Sequence, residues 1–564
     1  MAIDLVLRGG TVVDGSGRES FTADVAIAGD RIVEVGKVAA RGHREVDADG
    51  LIVAPGFIDA HTHMDAQINW DPIGSPACFH GVTSVVMGNC GFSLAPVHKG
   101  KEGMAVRNFE RAEDISAEAM AEGITWRWER FADYLDAMDA LPKGINYAAQ
   151  IGHSALRTWA MDERAFTEEA NEEELNLMDA ELARALDAGA VGFTTSRSFA
   201  HETSDDRPVA SRLASWDEVR RLVKTVGAKN AIFEIAQERV GKGLAGNDFF
   251  ERLCDLAVES KAITTFGVLP LGPPEVWRQQ LDALKRGAAA GARMIGQSHS
   301  RGVSMVMSFK TAMPFDRIDE WKPIRSRPLE EQKQLLRDPA IRAKLVHAAH
   351  HGDYGRWTGA EPPPPDWNVL QVYDRSLPPY PLVADVARER GVDPVECLID
   401  LALEQDFHQF FITPPTPMAE EDLLEIMRHP DMVMTFSDTG AHVTQIVDVC
   451  IHTHLLAYWV RERGEFTIEE AVRMTTSAAA DAWGFADRGR VREGMIADLN
   501  LIDLAALDPG MPRAVNDLPA GAPRVVMKAG GIEATLVAGE VLVERGEYTG
   551  ALPGRLLRGP LARV

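Results

Sequence analysis

A chain of 564 residues, 45% hydrophobic and 25% charged, has the composition of a soluble globular protein long enough for more than one domain. A formal net charge of −25 and a pI near 5.1 argue against a nucleic-acid surface, and no apolar run reaches the ~18 residues of a membrane span. The N-terminus lacks the basic-then-apolar pattern of a signal peptide. The five scattered cysteines (Cys78, Cys90, Cys254, Cys397, Cys450) suggest no disulfide framework, so a cytoplasmic protein is expected.

Residues 1–53 alternate apolar and polar positions in short runs such as Leu5-Val-Leu, Thr11-Val-Val and Arg31-Ile-Val-Glu-Val, broken by Gly and Asp. That pattern predicts antiparallel strands. The same texture returns over 487–548, in Leu499-Asn-Leu-Ile and Ala534-Thr-Leu-Val. Neither end buries much by itself, so the two are expected to form one small β-sandwich. Residues 549–564, rich in Gly, Pro and Arg, read as a C-terminal tail.

Between the ends, residues 54–486 alternate short apolar runs with helical patterns at Glu169–Ala188, Trp216–Val226, Asn247–Ser260 and Pro274–Ala290. Eight strand candidates emerge: Val53–Asp59, Ser84–Met87, Tyr147–Ile151, Ala190–Phe193, Ile232–Ile235, Ile263–Val268, Arg293–Gln297 and Met432–Phe436. Strands alternating with helices in eight units predict an α/β fold, a (β/α)8 TIM-type barrel with its chemistry at the C-terminal strand ends. The stretch of about 300–430 is too long for a plain connection and is expected to be an insertion or lid.

The first candidate strand ends in Asp59-Ala-His61-Thr-His63. Residues i and i+2 of a strand share a face, so the two imidazoles point the same way, as metal ligands require. The eighth ends in Phe436-Ser-Asp438-Thr-Gly-Ala-His442, where a carboxylate could bind a divalent metal and accept a proton from its water. The second ends in Gly88-Asn-Cys90-Gly. Cys90 is either a thiolate ligand or a buried structural cysteine.

The lead-in Asp4-Leu-Val-Leu-Arg-Gly-Gly, the run Pro55-Gly-Phe-Ile-Asp-Ala-His-Thr-His63 and the run Gly81-Val-Thr-Ser-Val-Val-Met-Gly-Asn-Cys-Gly-Phe-Ser-Leu-Ala-Pro96 resemble the amidohydrolase superfamily. Within it they are most similar to the N-acyl-D-amino-acid deacylase (D-aminoacylase) branch. The resemblance implies a hydrolase of non-peptide C–N bonds that deacylates an N-acyl amino acid or related small amide with metal-activated water. It implies a divalent metal, most simply one Zn2+ per chain with a second possible, held by His61, His63, Asp438 and Cys90, with Asp438 also catalytic. It implies a small-molecule substrate, no nucleic-acid or membrane partner, and a plausible homo-oligomer. His153, in Gln150-Ile-Gly-His153, is then a candidate for substrate contact. A cyclic amide, lactone or ester hydrolase or a deaminase on the same scaffold remains an alternative, as does a metal-depleted ligand-binding relative.

Two departures stand out. The deacylases draw further histidine ligands from strands five and six, whereas those ends here read Glu234-Ile-Ala-Gln237-Glu238 and Thr264-Thr-Phe-Gly-Val-Leu-Pro270. Glu234, Gln237 and His299 of strand seven could complete the coordination or hold substrate, with Glu234 a possible further ligand and Gln237 and His299 candidates for substrate contact. The deacylases also place an arginine shortly after the strand-eight aspartate to receive the substrate carboxylate. Here none precedes Arg461, so Arg197 and Arg301 are the candidates for that contact.

Overall fold

The computed structural model describes residues 2–238, 247–359, 361–414 and 418–559. Eight parallel strands form one sheet in chain order: Phe57–Asp59, Val82–Met87, Asn146–Gly152, Gly192–Ser196, Ile232–Ala236, Ile263–Gly267, Met294–Ser298 and Met432–Met434. Each lies on one of the eight candidates. The barrel closes between the first and last strands. Ala60 N–H donates to Thr435 Oγ1, Asp438 N–H to His61 O at 3.2 Å, and His63 N–H to Thr439 O at 2.8 Å. The closing seam therefore also joins the two stretches expected to carry the chemistry.

Helices cover the outside, as buried parallel strands demand. Glu172–Ala188 shows why its residues are helical. The Asn171 side chain accepts from Glu174 N–H and Glu174 reciprocates at Asn171 N–H. Met178, Leu182, Ala185 and Leu186 fall on one buried face, and Gly189 closes the end with φ 116°. The capping pair sets the start at Glu172 rather than Glu169.

The run Val53–Asp59, expected as one strand, is two. Ile52–Pro55 pairs parallel with Leu5–Val12 and antiparallel with Leu499–Ile502, whereas Phe57–Asp59 belongs to the barrel. The physical reason is Gly56, at the crossing point. Its N–H donates to Asp498 O at 2.8 Å, and a Cβ there would overlap the Thr83 side chain. Strands from both chain ends thus hydrogen-bond in a single nine-stranded sheet. The C-terminal segment lies along the barrel. Gly554 N–H donates to Lys143 O at 2.8 Å, Leu557 N–H to Tyr147 O at 2.6 Å and Gly559 N–H to Gly189 O at 2.8 Å.

The insertion has its own three-stranded sheet of Met305–Met307, Phe410–Thr413 and Gln371–Tyr373. Its helices, among them Leu329–Arg337, Pro339–His351 and Pro394–Glu404, share a separate apolar core. Met307, Phe309, Met313 and Phe315 belong to that core. Among the described residues no helix is long and apolar enough to cross a membrane.

Gly440, at φ 95°, seats the strand-eight loop against strand one. A Cβ there would come within 2.7 Å of the His63 carbonyl carbon and oxygen. Gly440→Ala is therefore expected to cost more than ~1 kcal/mol, through strain and displacement, seen as a lower denaturation midpoint in urea.

Candidate metal centre

Strand one delivers His61 and His63 to the barrel mouth, both 1% exposed. The His61 Nδ1–H donates to Gln297 Oε1 at 2.8 Å, and Gln297 Nε2 donates in turn to Thr265 Oγ1 at 2.9 Å. The amide is thereby oriented by strand six, and the imidazole is held in the tautomer whose Nε2 lone pair faces the cavity. Cys90 follows strand two in a left-handed turn at φ 55°, and its backbone N–H donates to Glu234 Oε2 at 2.8 Å. Asp438, at φ 53° and with a side chain 17% exposed, is the most open of the group.

The ligand atoms of His61, His63 and Cys90 all lie within 4.8 Å of one another. His61 Nε2 is 3.4 Å from Cys90 Sγ and 3.4 Å from Asp438 Oδ1, and His63 Nε2 is 3.6 Å from the same oxygen. Two donors at zinc-ligand distances from one tetrahedral ion stand roughly 3.3–3.7 Å apart. Two imidazoles and a thiol at these separations, with a carboxylate oxygen beside both imidazoles, fit a divalent metal.

Two further groups join them that residue type and spacing do not single out. Glu113 Oε2 is 3.6 Å from His63 Nε2 and 3.6 Å from His442 Nε2. His442 is visible in the strand-eight motif. Glu113 lies in the charged stretch Glu110-Arg-Ala-Glu-Asp114, which reads as solvated surface. A cavity of about 130 Å³ is lined by these side chains with Ser198, His201, Glu234, Gln237, Phe436 and Leu269. Strand five presents Glu234 and Ala236 to this cavity and strand six presents Gly267, none of them a histidine.

Burial sets the protonation. It lowers His61 to about 4, His63 to about 3 and His442 to about 4, so these rings are neutral donors at pH 7. It raises Glu234 to about 8, and burial with the nearby Asp438 and Asp65 carboxylates holds Glu113 well above the usual carboxylate range. Burial, reinforced by Glu234, Glu113 and Asp438, likewise raises the Cys90 thiol. Every one of these acids would ionise more readily beside a cation.

The other candidates fall elsewhere. His153 is fully buried, its nitrogens 2.8 Å from Thr195 Oγ1 and 2.8 Å from Glu218 Oε1, and it does not line the cavity. Arg197 donates to Ala214 O at 2.8 Å and lies over the Trp216 ring. His299 is buried beside Phe436, with ring centroids 5.9 Å apart. Arg301 lines a different cavity, about 300 Å³, beside the insertion, and its Nε is 3.5 Å from Asp448 Oδ1. Gln237 does line the metal cavity, and its amide donates to Gly267 O and to Gln280 Oε1. Both arginines are thus drawn off by neighbours outside the cavity, an orientation that residue type alone does not reveal.

This architecture recurs among known proteins. The chain is 29% identical over 569 residues to the D-aminoacylase of Alcaligenes xylosoxydans xylosoxydans, across 98% of this chain and 97% of that one. A crystal structure of D-aminoacylase superposes with a TM-score of 0.66 at 24% identity, covering 99% of this chain and 100% of that one. The N-acyl-D-glutamate deacylase of Bordetella bronchiseptica, solved with zinc and a phosphonate inhibitor, gives 0.66 at 23% identity with the same coverage. These structures share the fold, and the amidohydrolase family pattern matches residues 44–543. The chain belongs to the amidohydrolase family.

Proposed function

We propose that the chain is a metal-dependent hydrolase that deacylates an N-acyl amino acid or a related small amide. One observation carries the reading. His61, His63 and Cys90 cluster within 4.8 Å at the mouth of a barrel, with Asp438 Oδ1 at 3.4 and 3.6 Å from the two imidazoles. The activities of the deacylase relatives supply the substrate class.

His61, His63, Cys90 and Asp438 would hold one divalent metal, with zinc the best match to a nitrogen, sulfur and oxygen set. When bound, it would polarise the amide carbonyl and bring the pKa of water from 15.7 to about 7. Asp438 carries the proton. Its carboxylate accepts one from the attacking water and returns it to the leaving nitrogen as the C–N bond breaks, giving a carboxylate and an amine. Gln297 is a positioning residue for His61. Glu234 holds the Cys90 backbone and keeps Oε1 without a hydrogen-bond partner, which supports reading it as a further ligand or a polar wall.

Elemental analysis of purified protein beside His61→Ala/His63→Ala is the test. The expected result is metal in the wild type and its near-complete loss in the double variant, with N-acyl amino acid hydrolysis lost in parallel. A wild type that takes up no metal after incubation with zinc would defeat the assignment.

A further inference from the structure

Arg301 is the buried cation of the cavity of about 300 Å³ beside the insertion, and the metal chemistry makes no use of it. That cavity shares no lining residue with the metal cavity. Arg301 and Ser304, just after strand seven, form one side. Tyr380 and Ile412 of the insertion form a second, and His454, Tyr458 and Trp459 a third. The third side depends on local winding. Leu455–Glu462 is a π-helix, with Arg463 N–H donating to Tyr458 O five residues back at 2.9 Å. In that wider helix residues four and five apart share a face, so the histidine and both aromatic rings meet the same space. The Trp459 indole N–H donates to Ser300 O at 2.5 Å, which pins the ring there. Segments of π-helix are rare and recur at functional sites.

The Arg301 side chain is 5% exposed, yet its charge is weakly answered. Nε stands 3.5 Å from Asp448 Oδ1, and that oxygen has no hydrogen-bond partner. Nη1 donates to the Cys450 sulfur at 3.3 Å, and Nη2 has no hydrogen-bond partner. A guanidinium is built for two parallel bonds to oxygen, and leaving its N–H groups unpaired in a buried place costs free energy. Glu420 also lines the cavity but is engaged, accepting from the Tyr458 hydroxyl and standing 2.8 Å from Arg463. His454 adds no second charge, because burial, reinforced by Arg301, holds its pKa well below the usual histidine range.

One under-paired guanidinium set among aromatic and aliphatic carbon is the chemistry that recognises a planar monoanion with an apolar body. We propose that this cavity binds a small carboxylate carrying an aromatic or branched apolar group. Its oxygens would pair with Arg301, and its body would pack on Tyr380, Tyr458 and Trp459. A phosphate dianion fits less well, since a single cation would face it with the Asp448 and Glu420 carboxylates close by. The site stands apart from the metal centre and does not depend on the hydrolysis proposed above.

The test is isothermal titration of the full-length protein with 3-phenylpropionate and with its neutral isostere, 3-phenylpropionamide. Wild type is expected to bind the carboxylate, and the amide at least about 10-fold more weakly. A carboxylate can also ligate a metal, so the titration is repeated on His61→Ala/His63→Ala, where the same affinity is expected. Loss of binding in that variant would place the ligand on the metal centre and overturn the proposal. Arg301→Lys keeps the charge but not the fork and is expected to weaken binding at least about 10-fold. Met418→Trp fills the cavity while leaving Arg301 and Asp448 in place, and the same loss is expected. Far-UV circular dichroism and the urea midpoint show that each variant is folded. No binding to wild type, equal binding of the amide, or undiminished binding in both Arg301→Lys and Met418→Trp overturns the proposal. Inorganic phosphate bound more tightly than 3-phenylpropionate overturns the assignment to a carboxylate.

Discussion

Asp438→Asn is expected to lower kcat by about 10²–10⁴-fold while moving KM far less, the pattern of a lost proton carrier rather than lost substrate binding. The substitution keeps the shape of the side chain and one carbonyl oxygen toward His61 and His63, but the group can no longer accept and return a proton. His61, His63 and Cys90 remain, so metal content should fall less than turnover. Steady-state kinetics with N-acyl amino acids, read beside metal analysis of the same sample, separates the two effects. A variant that retains its metal and runs within tenfold of wild type would move the proton-carrier role to another group, with Glu113 and Glu234 next in line.

The second large effect concerns the metal-free protein. Glu234 is buried and raised from 4.5 to about 8, mainly by desolvation and further by Asp438. Below pH 4.5 the carboxyl is protonated in both folded and unfolded chains and contributes no pH-dependent stability. Between 4.5 and about 8 the unfolded chain releases this proton and the folded chain keeps it, so wild-type stability falls as pH rises. Above about 8 the penalty is complete, a few kcal/mol at most, since each tenfold change in proton affinity is worth about 1.4 kcal/mol. Glu234→Gln has no proton to lose. Its advantage over wild type in urea denaturation should therefore be absent near pH 4.5 and grow towards pH 8 in the absence of metal. With metal added, the order should reverse or close, because the cation stabilises the carboxylate. An advantage independent of pH would mean that the Glu234 carboxylate is ionised in the folded chain throughout.

These expectations differ in how much of them is legible in the unfolded chain. The barrel strands are legible because burial on both faces demands short apolar runs, and each run carries that demand locally. The His61–His63 pair is legible for a similar reason. Strand alternation puts i and i+2 on one face whatever the rest of the chain does. Asp438 declares itself by following the last apolar run, where barrel strands end. In these cases the deciding interaction lies within a few residues.

Folding over long range decided the remainder. Gly56 looks like an ordinary break in an apolar run, and only the approach of Thr83 and Asp498 makes it the point where the chain changes sheets. Arg197 and Arg301 have the right chemistry for a carboxylate, yet Ala214 and Trp216 engage the first and Asp448, nearly 150 residues on, engages the second, outside the metal cavity. Glu113 is the sharpest case. Its neighbours Glu110, Arg111 and Asp114 give it the signature of solvated surface, and nothing within the segment contradicts that. It becomes buried only because the 442–444 loop, more than three hundred residues on, docks its backbone against the Glu113–Asp114 turn. Periodicity records which face of an element is apolar; it does not record which polar side chain another loop will later cover. The barrel and the types of the candidate ligands were therefore determined by the sequence itself, whereas the burial of Glu113 and the orientation of the two arginines were decided by tertiary structure.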